Sequence, residues 1–597
     1  MTWVVAVWLT YSLFYLAPVF APLLALDRVL RTAAVASRLP RLTLALGAAL
    51  LPLACLGAGF VQILLFADAF VFKTWSFHLN GFVWNLVTTR GGIESLGASG
   101  ASELSFAAIG GGWLAAQALL LALALRSRRV DRVSCALARP AVIVAAAALT
   151  LAVSAGERVT YGLADSASYR PVLSAANTFP LYVPLRMPKL AKALGFAHDR
   201  ARGLALEVDT VQVRYPLRPL ARAPGHRDWN IVWLVGESLR ADMLDPEIMP
   251  GTSAFAARSA DFRSHYSGGN GTRMGMFSMF YGLYGSYWFA FLNETRGPAL
   301  VDLLLDANYQ TAIYTSARFT YPEFDKTIFQ RIPTAELHEG DPALAGWQND
   351  RANVTHLLAD IDGRDPARPF FAFMFFESAH AQYWFPEESV IRRPYLTNFN
   401  YAITDYAAHI DEIKNRYVNA CHHLDGQLAR VFEHLERAGL LDSTIVIVTG
   451  DHGEQFMEKG HWGHHASFVD EEVRVPLVIR APGAAPRRDT HTSSHLDIVP
   501  TLMTMLGVTN PPDDYSLGHD LFGGERPDGC VIADWDRLAC VSSAGKAILP
   551  VSYQSLAGSE ALGPGDTPLE GRERADFLAS RRHELVAVMR NLSRFRR

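Results

Sequence analysis

Trp229-Asn230-Ile231-Val232-Trp233-Leu234-Val235-Gly236-Glu237-Ser238 and Thr444-Ile445-Val446-Ile447-Val448-Thr449-Gly450-Asp451-His452-Gly453-Glu454 decide how this chain is read. Each is a short, unbroken apolar run that ends on glycine and then a carboxylate. Runs of that length, rich in β-branched and aromatic residues, read as strands buried on both faces of a sheet. The stretches 311–314, 370–376 and 475–479 have the same character, and helix patterns fall between them. The longest helix pattern covers about 410–438, where Tyr417, Cys421, Leu424, Leu428, Val431 and Leu435 recur at spacings of three and four. That stripe reads as core. Strands alternating with helices predict an α/β domain with a mostly parallel central sheet, whose functional groups sit at the carboxyl ends of the strands.

Outward from these stretches, the 597 residues exceed one ordinary domain of ~100–200 residues. Half of them are hydrophobic and 19% are charged, below the usual ~25%, which points to membrane segments beside a soluble part. Disordered and collagen-like architectures are excluded. With 55 Lys and Arg against 59 Asp and Glu, the overall charge gives no electrostatic case for nucleic acid, and no nucleic-acid partner is expected.

Four nearly uninterrupted apolar runs, at 3–26, 42–66, 106–125 and 133–155, each approach the ~20 residues needed to cross hydrocarbon. They predict an N-terminal transmembrane α-helical bundle over 1–155, with buried core helices as the alternative. Arg28, Arg31, Arg38 and Arg41 crowd the first connection and Arg126, Arg128, Arg129 and Arg132 the third, whereas the longer second connection carries only Lys73 and Arg90. Both arginine-rich loops are therefore expected in the cytoplasm, and everything after about Gly156 on the opposite side, in a periplasm or outside the cell. Met1 is followed almost at once by apolar residues, without a charged leader. A further span upstream would move the N-terminus inside and leave the side of the C-terminal part unchanged.

A proline-punctuated connector is expected over 156–228, the α/β domain over 229–525, and C-terminal strands with a basic helix over 526–597. From Arg572 onward eight arginines face three acids, with Leu578, Leu585, Val588, Leu592 and Phe595 at helical spacings. Such a helix either touches anionic lipid or packs on its own domain. Of the five cysteines, Cys55 and Cys135 sit in apolar runs, Cys530 and Cys540 flank a possible hairpin and could pair in an oxidising compartment, and Cys421 is left over.

Glu237 and Asp451 emerge at the ends of predicted buried strands, where either one alone could merely cap the next helix. Between them Ser267-Gly268-Gly269-Asn270-Gly271-Thr272-Arg273 leads into the apolar run 274–283, a glycine-rich loop entering a helix. Backbone amides and a helix N-terminus attract anions, so Thr272 stands either where phosphate binds or as a plain N-cap. Glu237, Thr272, Asp451 and His452 together offer three oxygens and one nitrogen. That donor set suits a divalent ion, zinc or manganese first, with magnesium and calcium open.

A Glu after the first strand, a Thr after a glycine-rich turn and a late Asp451-His452-Gly453-Glu454 resemble the metal site of the alkaline phosphatase and sulfatase superfamily, most closely its lipoteichoic acid synthase and lipid A phosphoethanolamine transferase branches. The resemblance implies Thr272 as a metal-bound nucleophile, with Glu237, Asp451 and His452 as the other metal ligands. His380 and His464 correspond to histidines that flank the phosphate pocket, and are implied as acid, base or second-metal groups; the alternative is that they are inert. His461 and His465 are weaker candidates. His495, Asp497 and Pro500 resemble a structural helix motif of the superfamily. No Cys/Ser-x-Pro-x-Arg motif stands in the Thr272 loop, which disfavours a sulfuric ester hydrolase.

A second resemblance covers nearly the whole chain and is to the YejM (PbgA) family of Gram-negative inner-membrane proteins. It is carried by Phe77, His78, Leu79 and Asn80 with Trp84; by Ala164 and Asp165 through Tyr169, Arg170 and Pro171; by Tyr215, Pro216 and Leu217; by Ser267 to Asn270; and by Phe280, Tyr281 and Gly282. The family pattern has five spans where four are read here. The resemblance implies a multi-pass inner-membrane protein with a sulfatase-like periplasmic domain. It also implies partners among membrane phospholipids, cardiolipin or lipopolysaccharide, an inner-membrane regulatory protein as a further partner, and a role in envelope lipid homeostasis. Two functions follow: a metal-dependent phosphoester hydrolase or phosphotransferase using Thr272, or a non-catalytic lipid-binding regulator of lipopolysaccharide synthesis.

Overall fold

The computed structural model describes residues 2–30, 40–75, 77–93, 95, 100–137, 139–166, 169–176, 178–183, 185, 212–524, 526–551 and 559–596. Arg31 and Arg38 of the first connection, and residues 186–211 of the expected connector, lie outside them. The chain divides into two compact units: Met1–Asn80, Ser99–Arg202 and Asn400–Ile403 form the first, and Gly81–Ala98, Gly203–Phe399 and Thr404–Arg597 form the second.

In the first unit α1 (Thr2–Leu30), α2 (Pro40–Trp75), α4 (Gly100–Arg126) and α6 (Pro140–Ser166) are long and apolar enough to cross a membrane; α3 (Gly81–Thr88) lies between α2 and α4 in sequence and α5 (Arg128–Leu137) between α4 and α6. Trp8, Leu119 and Leu151 on the spans are exposed, as residues facing lipid would be. The fourth span differs from the expected 133–155. Val133 to Leu137 belong to the arginine-bearing α5, and a new helix starts at Pro140, whose missing N–H costs nothing in a first turn but would break a continuous helix. It then runs past residue 155. Asp68 in α2 accepts from the Leu79 amide (2.8 Å) and meets His78 Nδ1 (2.7 Å), while the His78 ring stacks on Phe72. A carboxylate inside an apolar helix is thereby satisfied locally.

The second unit is built on an eight-stranded sheet. Its strands, with the short ribbons beside it, are β1 (Asn230–Gly236), β2 (Ala260–Phe262), β3 (His265–Tyr266), β4 (Gln310–Thr315), β5 (Leu337–His338), β6 (Phe370–Phe376), β7 (Thr444–Gly450), β8 (Gln455–Phe456), β9 (Trp462–Gly463), β10 (Leu477–Arg480), β11 (Arg487–Asp489) and β12 (Ser493–Ser494). The order across the main sheet is β11-β2-β10-β7-β1-β6-β4-β5, parallel except where β10 pairs with β7 and β2. The mostly parallel sheet expected from the sequence is present. Val475 and Pro476, expected in the last apolar strand, precede β10; the Val475 amide bonds the His265 carbonyl instead.

The central strand is buried on both faces. Ile231, Trp233 and Val235 join a core with α7 (Thr272–Tyr281), where Trp233 stacks on Phe280 with ring centroids 4.6 Å apart. On the other side Gly236 admits Leu424 of α9 (Ile410–Arg437), a helix that packs with α8 (Gly346–Gly363). All six residues of the predicted α9 stripe are buried.

An antiparallel meander follows: β13 (Cys530–Ala533), β14 (Arg537–Ser542), β15 (Gly545–Pro550) and β16 (Glu560–Leu562). Cys530 and Cys540 do not pair. Register sets Cys530 opposite Val541 and Cys540 opposite Val531, a one-residue offset that turns the two thiols to opposite faces. Cys530 packs beside Phe468, Val473 and Ile532, whereas Cys540 lies in the main core. The basic C-terminal helices, Gly571–Ser580 and Arg582–Asn591, pack on their domain: Leu585, Val588, Leu592 and Phe595 are buried, and Phe595 meets the Tyr215 and Tyr287 rings. Denaturing alkylation without reductant should therefore label all five cysteines; a reductant-dependent gain of two labels, read by mass spectrometry, would contradict the register argument.

Candidate functional site

The register of β6, β1 and β7 assembles the site. Gly236 pairs with both Phe376 and Gly450, so the three strands end level and the next residues, Glu377, Glu237 and Asp451, leave the sheet at one edge. Ser238 takes a left-handed backbone (φ 58°), and its amide donates to Asp451 Oδ1 (2.9 Å), as does the His452 amide (2.9 Å). The chain after β1 is thus tied to the chain after β7.

Opposite these turns stands the start of α7. Gly271 is its N-cap and Thr272 its first residue, so Thr272 is not the cap. Ser267 Oγ donates to the Asp451 carbonyl (2.5 Å) and accepts from the Gly269 amide (3.1 Å). His495 braces the same loop: Nε2 donates to the Gly450 carbonyl (3.0 Å) and Nδ1 accepts from the Gly268 amide (3.3 Å). Burial holds this imidazole down at about 4, so it stays neutral, in keeping with a structural part. Asp497 accepts from the Ser494 and His519 amides, and Pro500 is buried in the helix Ile498–Met505. Two glycines allow the approach: a Cβ on Gly275 would lie 2.1 Å from the Asp451 carbonyl oxygen, and one on Gly271 would lie 1.9 Å from Cε1 of His465.

Thr272 Oγ1 therefore lies 3.3 Å from Glu237 Oε1 and 3.2 Å from His452 Nε2. His452 Nδ1 must donate to the Gly453 carbonyl (2.8 Å), because a carbonyl only accepts; Nε2 then turns a lone pair toward Thr272. Asp451 Oδ2 is buried, has no hydrogen-bond partner among the described residues, and lies 3.4 Å from that Nε2. Burial pushes Glu237 up to about 8, with Glu454 and Asp350 raising it further, and pushes Asp451 up to about 6, with Glu237 raising it further. Burial also holds His452 down at about 4. Asp451 Oδ2 and His452 Nε2 turn lone pairs toward each other beside the Thr272 hydroxyl, an arrangement that a cation satisfies, so the donor chemistry fits a divalent metal. Among the described residues no group of three or more His, Cys, Asp or Glu is arranged to hold one as it stands.

The other two predicted residues join the cluster. His380 Nε2 is 3.8 Å from Glu237 Oε1, and His464 lies with ring centroids 4.3 Å from His452 and 5.9 Å from His380. Sequence reasoning gave no role to Glu454, which Tyr383 OH (2.9 Å) and His464 Nδ1 (2.8 Å) grip; its place three residues after Asp451 was the available signal. His465, a weaker candidate, packs 4.6 Å from His464. Arg273 follows Thr272 in the first turn of α7. Its guanidinium pairs with the buried Glu323 (2.9 Å), a contact that no local pattern announces.

Residues 229–508 match the sulfatase family, and residues 42–222 match a domain of unknown function, DUF3413. An uncharacterized protein of Haemophilus influenzae is 27% identical over 466 residues, which cover 77% of this chain and 71% of that protein. The inner membrane protein YejM of Salmonella typhimurium is 26% identical over 380 residues, covering 62% of this chain and 58% of YejM. A solved alkaline phosphatase superfamily protein from Vibrio parahaemolyticus aligns with this chain at 18% identity and a TM-score of 0.45, over 63% of this chain and 92% of its own.

Gly275→Ala should destabilise the second unit by about 1–3 kcal/mol, the usual cost of overpacking, and shift Thr272 with it. A thermal melt of the whole protein that is unchanged by this substitution would contradict the close approach of α7 to Asp451.

Proposed function

Taking the chain as a YejM-like inner-membrane protein with a sulfatase-family domain in the periplasm, we propose that it is a metal-dependent phosphoester hydrolase or phosphotransferase with Thr272 as nucleophile, acting in envelope lipid homeostasis. One observation carries this reading: a hydroxyl on the first turn of a helix lies 3.3 Å from a buried carboxylate and 3.2 Å from an imidazole lone pair, beside the orphaned oxygen of Asp451. A divalent ion held by Glu237, Thr272, Asp451 and His452, zinc or manganese before magnesium or calcium, would lower the hydroxyl pKa and screen the incoming phosphate.

Thr272 Oγ1, its proton lost, attacks phosphorus; the bond to the leaving oxygen breaks, and the leaving alkoxide takes up a proton. Water or a lipid hydroxyl then attacks the phosphothreonine, gives up its own proton and restores Thr272. His380 and His464 are the imidazoles at hand for these proton transfers. The N-terminal turn of α7, beginning on the glycine loop, supplies amides and a dipole end that favour an anionic substrate.

A second reading is a non-catalytic regulator that binds lipopolysaccharide, cardiolipin or other membrane phospholipids and acts on an inner-membrane partner. It is favoured by the extent of the likeness, since the DUF3413 match over residues 42–222 takes in three of the four long apolar helices, beside the separate sulfatase match over residues 229–508.

Purified whole protein should bind one divalent ion, lose it on Glu237→Ala, and turn over a phosphoester rather than a sulfate ester. Thr272→Ala should cut that turnover by ~1000-fold or more. Unchanged turnover would remove Thr272 as nucleophile. Envelope complementation by the Glu237→Ala, Thr272→Ala double variant would favour the regulator.

A further inference from the structure

We propose that the short helix α3, inserted between the second and third spans, is a positioning element of the site, with Asn85 and Phe82 fixing the two residues that flank Thr272. The inference rests on the nucleophile reading above. Although it lies between two membrane helices in sequence, Gly81–Ala98 packs as part of the second unit.

On one side of Thr272, Arg273 Nη2 donates to Asn85 Oδ1 (2.7 Å) and to Glu323 Oε2 (2.9 Å), and Asn85 Nδ2 donates to Glu323 Oε1 (3.2 Å). The three side chains close a ring of charge-assisted bonds. The guanidinium lies 5.2–5.7 Å from the Tyr321, Trp288 and Trp535 ring centroids, so it is held by an aromatic enclosure as well as by Glu323. A buried cation of this kind cannot move without losing its partners, and its backbone is the residue after the nucleophile.

On the other side, Phe82 packs against the His465 ring (4.8 Å) and Trp535 (5.5 Å). His465 in turn lies against Gly271, at a distance that leaves no room for a Cβ. One turn of α3 thus bears on Gly271 through His465 and on Arg273 through Asn85. Glu237 and His452 lie 3.2–3.3 Å from the Thr272 hydroxyl, so a small rotation of this helical turn would misalign it.

The test uses the whole protein and p-nitrophenyl phosphate as the phosphoester probe. Asn85→Ala and Phe82→Ala should each lower kcat by ~10-fold or more, as a misplacement of about 1 Å would, with KM held within about two-fold. Trp84→Ala, on the exposed side of the same helix, should leave both unchanged. If Asn85→Ala loses the fold in a thermal melt, Phe82→Leu carries the test from the His465 side. Wild-type kcat in the Asn85 and Phe82 variants, with Thr272→Ala inactive, would overturn the positioning role alone; a Thr272→Ala variant that stays active would overturn the nucleophile reading and this one with it.

Discussion

The in-register pairing of β1 with its two parallel neighbours is the constraint on which the site depends. Because Gly236 faces Phe376 on one side and Gly450 on the other, three carboxylates leave the sheet at one level rather than staggered along it. A slip of one residue would turn alternate side chains to the wrong face and take Glu237 away from Asp451. The apolar runs that bury the three strands thereby also set the spacing of the acids beyond them. The loop before α7 then needs only to deliver one hydroxyl to a place that already exists.

That place gathers groups that burial disfavours in their charged forms. Two acids pushed up by burial, an imidazole with its lone pair inward and an oxygen without a partner would not collect in a core selected for stability alone. Strongly perturbed groups gathered around one helix start are more often found where chemistry is done. The surrounding bonds are arranged to hold the arrangement in place: Ser238 and His452 amides on Asp451, Ser267 on the Asp451 carbonyl, His495 between the loop and β7.

Much of this was legible in the chain itself. The central strands and α9 could be read because continuous burial and a three–four stripe leave plain composition signals, and Glu237, Asp451 and His452 because they follow strand ends. Thr272 was marked by the glycines before it. What could not be read depends on geometry rather than on pattern. The start of the fourth span turned on a proline that a hydropathy count passes over. The fate of Cys530 and Cys540 turned on one residue of register, and the bond from Asn85 to Arg273 joins positions 188 residues apart. Glu454 lay in plain view, yet its role is set by Tyr383 and His464, from distant segments.

The discontinuity of the second unit has a consequence for how the protein is made. Ribosomes deliver Gly81–Ala98 long before Arg273 and Glu323, and the intervening chain includes two further spans. The early segment must therefore wait, without its final partners, while later membrane helices are threaded into the bilayer. Only after the rest of the second unit has been exported can the polar ring around Arg273 close. Its closure accordingly marks the end of a translocation sequence, and couples the finished shape of the site to the membrane having been crossed in the right order.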